Sequence, residues 1–171
     1  FINKDKGYFR QGSQTLWIDR SGKDWKIKEG ITLDKDAENT EGFSDNNGFA
    51  YTIKNNLYLN KNGKVTQITN DSDEDIVNGQ AVHQREFGIT KGIFISPDNS
   101  KIAFYKMDQS MVADYPIIDW SITPAANKNI KYPMAGTPSH HVKLRIYDIK
   151  TNKTTILNIE GDPEHYLTVI T

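Results

Sequence analysis

The chain repeats one pattern of strand, turn and strand three times. In each copy a run of alternating large apolar residues meets a polar turn and returns as a second short run, and the copies begin at Leu16, Leu57 and Leu144. Such alternation is typical of half-buried antiparallel strands. The first two copies begin 41 residues apart, the usual spacing of propeller blades, and the third begins 87 residues after the second, roughly two such periods.

Further strands precede the second and third copies. Residues Gly48 to Ile53 lead into the second copy, and the runs Gly92 to Ser96 and Lys101 to Lys106 precede the third. Each unit thus resembles four antiparallel strands, and the sequence predicts an all-β fold, a partial β-propeller of about three blades. Because a closed propeller needs about four blades or more, we expect residues 1–171 to be a fragment of a propeller domain.

A long insertion, residues 107–141, precedes the third copy. It carries four of the six prolines together with three aromatic residues. Proline has no backbone N–H to donate and is excluded from central strands. We therefore expect a long irregular arm with one edge strand, which either packs across a neighbouring blade or contacts a ligand. The residues concerned are Pro116, Pro124, Pro133, Pro138, Tyr115, Trp120 and Tyr132.

Composition and charge exclude several classes of function. The chain has 21 basic and 22 acidic side chains and a net charge of −1, which gives no electrostatic basis for binding nucleic acid or an anionic membrane surface. Without cysteine there are no disulfides and no thiolate metal sites, and the four histidines lack the paired spacing of a zinc helix. The sequence predicts no metal site and indicates no cofactor.

The stretch from Val82 to Gly88 is the clearest candidate site. Polar and charged side chains stand in a row before an aromatic residue and a glycine, close to a strand with the composition of a buried one. Binding residues are often found in such polar segments beside a rigid scaffold. From the residues alone, Arg85 and Glu86 could equally form an exposed ion pair of little energetic value.

Four segments in a fixed order carry a resemblance to a known family. They read GQAVHQREFGI at 79–89, ISPD at 95–98, IAFYKMDQSMV at 102–112 and YPMAGTPSHHV at 132–142. In this order they resemble the N-terminal β-propeller region of the dipeptidyl peptidase IV and prolyl tripeptidyl peptidase family of serine exopeptidases. The ISPD turn alone is common in propellers, whereas the ordered set of four is specific.

The resemblance implies that the full protein joins a propeller to a catalytic α/β-hydrolase domain. Such a protein releases di- or tripeptides from a substrate with a free N-terminus and prefers proline at the cleavage position. The resemblance also implies a homodimeric parent that is periplasmic, outer-surface or secreted. Since this chain has no Gly-x-Ser-x-Gly nucleophile motif, we expect the hydrolase domain to lie outside it and this portion to be non-catalytic.

The resemblance also indicates candidate substrate-binding residues. In this family a glutamate before an aromatic residue holds the substrate's N-terminal ammonium, and Glu86 occupies that place. Dipeptidyl members have two adjacent glutamates there, whereas the neighbour here is Arg85, which fits the tripeptidyl relatives better and partly neutralises the remaining carboxylate. Arg10 is the candidate for contacting a substrate carbonyl, and a solvated arginine at the end of a strand is the alternative.

Two other functions stay open from the sequence. The chain could belong to a propeller that binds a protein partner through the arm at 107–141 and has no peptidase activity. It could also be an independent β-sandwich that binds carbohydrate through Trp17, Trp25 or Trp120, although alternating strands turn aromatic residues inward as readily as outward. A nucleophile motif in the downstream sequence of the parent would favour the peptidase over both.

Overall fold

The computed structural model describes residues 4–168 and residue 170, and almost all of its regular structure is β-strand. The helical structure in this part of the chain is one short 3₁₀ segment, His83–Gly88. No helix among the described residues is both long and apolar enough to cross a membrane. The strands are, in chain order, β1 (Lys6–Gln11), β2 (Gln14–Ser21), β3 (Asp24–Thr32), β4 (Ala37–Gly42), β5 (Gly48–Ile53), β6 (Asn56–Lys61), β7 (Lys64–Gln67), β8 (Ile76–Asn78), β9 (Ile93–Ile95), β10 (Lys101–Asp108), β11 (Asp114–Asp119), β12 (Ala126–Lys131), β13 (His141–Asp148) and β14 (Lys153–Ile156).

The first two sheets are the first two copies of the repeated pattern. The first sheet has the order β1-β2-β3 and the second has the order β4-β5-β6-β7, each antiparallel throughout. The hairpin turns place Gly12, Gly22 and Gly63 at φ of +62°, +68° and +79°, a left-handed region that glycine adopts without a steric cost. The hairpins β2-β3 and β6-β7 confirm the predicted strands and turns.

The third sheet is built around β10. Its order is β14-β13-β10-β8, and β9 also pairs with β10. The register sets Ile102 opposite Ile95 in the predicted hairpin and Phe104 opposite Arg145 across to β13. The prediction of an all-β partial propeller is confirmed, with several antiparallel sheets and no closed barrel among the described residues.

The insertion contains more regular structure than the sequence predicted. In place of one edge strand, β11 and β12 form a two-stranded antiparallel hairpin with Asp114 opposite Lys131. The prediction of a single strand is wrong because Pro116 was evidence against a strand, whereas it lies inside β11. In a two-stranded ribbon one side of each strand has no ladder partner, so a missing N–H is tolerated there. The irregular part is limited to the segments on either side of the hairpin and to its turn.

Buried apolar side chains lie between the sheets. Trp17 of the first sheet stacks on Phe49 of the second with ring centroids 4.7 Å apart. Leu57 of the second sheet and Phe104 of the third belong to one cluster and are fully buried. Each sheet therefore stabilises the next one along the chain, as repeated blades do.

The three tryptophans do not form one sugar-binding surface. Trp17 is 3% exposed in the core, so it is a packing residue. Trp25 lies on β3, and Trp120 follows β11 in the insertion hairpin. The tryptophans proposed as a carbohydrate platform therefore belong to three different parts of the structure.

Candidate functional site

The segment between β8 and β9 carries the candidate site and has an unusual backbone. Four of its residues other than glycine have positive φ: His83 (52°), Gln84 (53°), Arg85 (64°) and Phe87 (51°). Each such residue costs about 1 kcal/mol or more, so contacts with the rest of the molecule must hold the segment in place. Glu86 lies between them in extended geometry, at φ −66° and ψ 162°.

Glycines allow the ends of this segment to approach one another. A Cβ atom at Gly92 would overlap the backbone of Gln80, so only glycine lets the chain return past its own starting point. Gly79 has a φ of +71° directly after β8. The segment therefore leaves the sheet and re-enters it at one place, and residues 83–88 project from it as a loop.

The carboxylate of Glu86 is exposed and has one hydrogen-bond partner among the residues that the structure describes. Its Oε2 accepts a hydrogen bond of 2.8 Å from the hydroxyl of Tyr166, which lies near the end of the chain. This bond to a carboxylate raises the pKa of Tyr166. Among the described residues no ion pair joins Glu86 to Arg85, so the alternative of an exposed pair between these neighbours is not formed.

Two buried histidines contact each other near Glu86. His83 and His140 are 2% and 3% exposed, and Nδ1 of His83 lies 3.1 Å from Nε2 of His140. The backbone N–H of Leu167 donates to Nε2 of His83 over 3.4 Å. Since that nitrogen accepts, we assign the proton of His83 to Nδ1, from which it is donated to His140.

Burial keeps both histidines neutral at pH 7. Loss of solvation is the largest cause that lowers the pKa of His83, to about 4, and the neighbouring His140 lowers it further. Burial lowers the pKa of His140 as well. The ring of His83 stacks on Tyr166 with centroids 4.3 Å apart, so the pair forms an uncharged support under the residue that contacts Glu86.

Arg85 is exposed and lines a cavity of about 270 Å³ together with Gln84, His140 and Lys131 of the insertion hairpin. In the described part of the chain Glu86 does not line this cavity. Sequence neighbours therefore diverge because their backbone torsions differ, with φ of 64° at Arg85 and −66° at Glu86. Arg85 stays a candidate at the edge of the site.

Arg10 is held by the protein's own backbone. Its guanidinium donates to the carbonyl oxygens of Gly12 at 2.5 Å, Asp34 at 3.0 Å and Lys35 at 3.3 Å, and also to that of Ala37. These bonds fix the loop between β3 and β4. Arg10 borders a cleft of about 750 Å³, and in the described part of the chain Glu86 does not line this cleft.

The sequence did not reveal the partners of Glu86. His83 and His140 lie 57 positions apart, and Glu86 and Tyr166 lie 80 positions apart. No local spacing rule connects residues at such distances. One signal was available, because His83 stands in the first of the four family segments and His140 in the fourth.

The site offers hydrogen-bond acceptors and no metal centre. In the part of the chain that the structure describes, no group of three or more His, Cys, Asp or Glu side chains is placed to hold a metal ion. An exposed carboxylate with free acceptor positions suits a cationic ligand such as an ammonium group.

The chain is similar to several known proteins. The dipeptidyl-aminopeptidase B assigned in Talaromyces marneffei is 34% identical over 128 residues, which are 65% of this chain and 14% of the relative. A structure assigned as a dipeptidyl aminopeptidase IV from Bacteroides ovatus has a TM-score of 0.73 and 38% identity, and covers 94% of this chain and 22% of that one.

A second structure, the dipeptidyl peptidase 4 of Porphyromonas gingivalis, has the same fold at 21% identity and a TM-score of 0.67, and covers 95% of this chain and 24% of that one. The chain thus spans less than a quarter of the length of these relatives. The profile of the dipeptidyl peptidase IV (DPP IV) N-terminal region matches residues 3–171. With this match over nearly its whole length, the chain belongs to the family of the dipeptidyl peptidase IV N-terminal region.

Proposed function

We propose that this chain is the non-catalytic propeller portion of a serine exopeptidase and that Glu86 anchors the substrate's N-terminal ammonium. The parent removes di- or tripeptides from free N-termini and prefers proline at the cleavage position. The observation that carries the proposal is the exposed carboxylate of Glu86, which is held by the hydroxyl of Tyr166 in a chain of this family. The named relatives are dipeptidyl peptidases, which supports a peptidase parent.

Anchoring an ammonium sets the length of the released peptide. A carboxylate has two oxygens with about four acceptor positions, and the hydroxyl of Tyr166 occupies one of them, so positions are left for the three donors of an ammonium. Charge-assisted bonds of this kind are roughly twice as strong as neutral ones. With the amine fixed, the peptide bond that reaches the nucleophile lies a set number of residues away.

The second carboxylate of the dipeptidyl members is replaced here by Arg85. A single carboxylate makes fewer bonds to the ammonium, and the neighbouring cation weakens its field. By the family resemblance, a single glutamate fits the tripeptidyl relatives better. We propose Arg85 as a group at the edge of the substrate site. Contact of Arg10 with a substrate carbonyl stays a prediction. In the structure the donors of Arg10 already bind carbonyl oxygens of the chain itself.

The chemistry itself belongs to an α/β-hydrolase domain of the same parent chain. There a serine attacks the scissile carbonyl, a histidine transfers its proton, and the propeller portion contributes only substrate position. A peptide substrate with a free N-terminus and this hydrolase domain are the partners that the proposal requires. We propose a periplasmic, outer-surface or secreted parent on the strength of the family resemblance.

The insertion hairpin supports a homodimeric parent. Ile118, Trp120 and Ile122 are 54%, 78% and 50% exposed on or next to β11. Clusters of exposed apolar side chains mark contact surfaces. We expect the double variant Ile118→Asp/Trp120→Ser to sediment as a monomer while the wild-type full-length protein sediments as a dimer. Equal sedimentation of the two would argue against the hairpin as the dimer contact.

The same hairpin favours the second candidate function, a propeller that binds a protein partner and has no peptidase activity. The two functions differ in what the full-length protein does to peptides. The test compares release of a chromogenic group from Xaa-Pro and Xaa-Xaa-Pro substrates, each with a free or an acetylated N-terminus. A peptidase cleaves one of the free substrates, and a pure binding protein cleaves none.

The Glu86→Ala variant tests the anchoring role in the same assay. We expect kcat/KM for the free substrate to fall about tenfold to a hundredfold, because a hydrogen bond to a charged group contributes roughly 1.5–3 kcal/mol. Glu160→Ala is the matched control, since Glu160 is also exposed and lies outside the candidate site. Cleavage that is indifferent to both Glu86 and the free amine would show that the anchoring proposal is wrong.

A further inference from the structure

We propose that Tyr166 positions the carboxylate of Glu86 for the incoming ammonium. This inference rests on the proposed anchoring role of Glu86 and adds a residue that the sequence did not suggest. The hydroxyl of Tyr166 donates to Oε2 of Glu86 over 2.8 Å. The hydroxyl is a neutral donor, so it restrains the carboxylate and leaves its charge for the ligand, whereas an arginine in its place would neutralise that charge.

The ring of Tyr166 is held between two residues of the loop. It stacks on the ring of His83 with an interplanar angle of 26° and meets the ring of Phe87 edge-on at 5.2 Å. Both contacts are arrangements that aromatic pairs prefer. Glu86 lies between these two residues in the sequence, so the loop that carries the carboxylate also grips the side chain that orients it.

The residues on either side of Tyr166 are tied to the rest of the protein. The hydroxyl of Tyr105 in β10 donates to the carbonyl oxygen of Leu167 over 2.8 Å, in the interior of the protein. The backbone N–H of Ser139 donates to Glu164 Oε1, also over 2.8 Å. Tyr166 is thus placed by neighbours that are themselves fixed, and it does not depend on Glu86 for its position.

The histidine pair completes the support. Nε2 of His83 accepts a hydrogen bond from the backbone N–H of Leu167. The backbone N–H of His83 donates to Nε2 of His140 over 3.2 Å. His83 therefore contacts the backbone next to Tyr166 and the face of its ring at the same time. A flexible glutamate loses rotamer freedom when it binds a ligand, and this arrangement restrains Glu86 before the ligand arrives.

The test uses the full-length parent and the variant Tyr166→Phe, which keeps the stacked ring and removes the hydroxyl. We expect KM for the free N-terminal substrate to rise about fivefold, because the unrestrained carboxylate of Glu86 loses rotamer freedom when the ligand binds, while kcat stays within about twofold. Tyr115→Phe is the matched control, because Tyr115 is a partly exposed tyrosine on the insertion hairpin. Unchanged thermal midpoints for both variants establish that they are folded.

The double variant Glu86→Gln/Tyr166→Phe separates positioning from a general structural role. If Tyr166 acts through Glu86, removing its hydroxyl in the Glu86→Gln background raises KM by less than about twofold. A rise in KM by the same factor in both backgrounds would overturn the inference. So would an unchanged KM for Tyr166→Phe when Glu86→Gln raises KM. A wild-type KM for Glu86→Gln would instead remove the anchoring proposal itself, and this inference with it.

Discussion

The second blade and the loop segment at residues 79–92 are held in place by different kinds of contact. In the second blade each strand pairs with its neighbour in sequence, in the order β4-β5-β6-β7, and tight turns join them. In the loop segment the deciding contacts come from His140, Tyr166 and Leu167, at separations of 57 to 84 positions. The blade is thus a local structure, and the candidate site is a long-range one.

The two regions also differ in how they use polar groups. The polar side chains that the blade buries in its strands, Thr52 and Asn60, are not titratable near neutral pH. The loop buries the titratable side chain of His83 against His140 and exposes the carboxylate of Glu86. Left-handed residues other than glycine occur singly in the blade and most of them are asparagine, whereas His83, Gln84 and Arg85 adopt this backbone in succession. Such a strained run persists only where surrounding contacts hold it, which favours a binding role.

The largest effect is expected in the blade. Phe49→Ala removes a fully buried ring that stacks on Trp17 and meets Tyr8 edge-on at 4.9 Å. We expect the free energy of unfolding to fall by about 3–5 kcal/mol, measured by chemical denaturation of the full-length protein. Val65→Ala, at an exposed position of β7, is the control and should change it by less than about 1 kcal/mol. Similar losses for both would contradict burial between the blades.

A smaller effect, which depends on pH, is expected in the loop segment. The pKa of His83 is about 4 in the folded protein and its ordinary value is 6.5, so the unfolded chain binds a proton that the folded one does not. Stability therefore falls as the pH falls from 6.5 toward 4, by about 1–2 kcal/mol between pH 7 and pH 5. The second blade contains no histidine and has no such dependence of its own.

Denaturation at both pH values in wild type and in His83→Asn measures this difference. The variant should lose part of the dependence, and the part that remains includes the contribution of His140, whose pKa is lowered in the same direction. If the variant keeps the wild-type dependence of stability on pH, His83 binds its proton as readily in the folded protein as in the unfolded chain, and the neutral pair is wrong.

Glycine substitutions compare the backbones of the two regions directly. Gln84 has a φ of 53°, where glycine relieves strain, while Thr66 lies in β7, where glycine adds disorder to the unfolded chain and weakens the strand. We expect Thr66→Gly to cost about 1 kcal/mol and Gln84→Gly to cost clearly less or to stabilise. Equal costs in thermal denaturation would contradict the left-handed geometry of the loop.

The smallest effect concerns the ion pair that joins the two regions. Lys91 and Glu41 of β4 approach to 3.3 Å, and both side chains are partly open to solvent. Exposed pairs contribute little, so Lys91→Ala should change the free energy of unfolding by less than about 0.5 kcal/mol. A cost well above this value at high salt would mean that Lys91 contributes through packing on Phe94, over which its ammonium lies at 5.3 Å.

The scaffold was predictable from the sequence because its rules are local. Alternation and turn residues located the hairpins at Leu16, Leu57 and Leu144, and the family segments located Glu86. The hairpin β11-β12 was missed because Pro116 is normally evidence against a strand. The sequence indicated that Arg10 contacts either a substrate carbonyl or solvent. Only the structure shows that carbonyl oxygens before and at the start of β4 accept its hydrogen bonds.

The surroundings of Glu86 could not be predicted for the same physical reason that distinguishes the two regions. The ring of His140 lies directly before β13, which pairs with β10, and the hydroxyl of Tyr166 comes from a segment beyond β14. No periodicity in the sequence encodes contacts made by irregular segments. Tyr166 lies outside any strand, in a stretch whose composition is that of an ordinary loop.

The most direct test of the anchoring role of Glu86 is a cycle of competitive inhibition constants in the full-length protein. It combines wild type and Glu86→Gln with two inhibitors, the di- or tripeptide product and its analogue without the N-terminal amine. We predict that removing the amine weakens inhibition about tenfold or more in wild type and less than about twofold in the variant. The same loss in both proteins would contradict a bond between Glu86 and the substrate's ammonium.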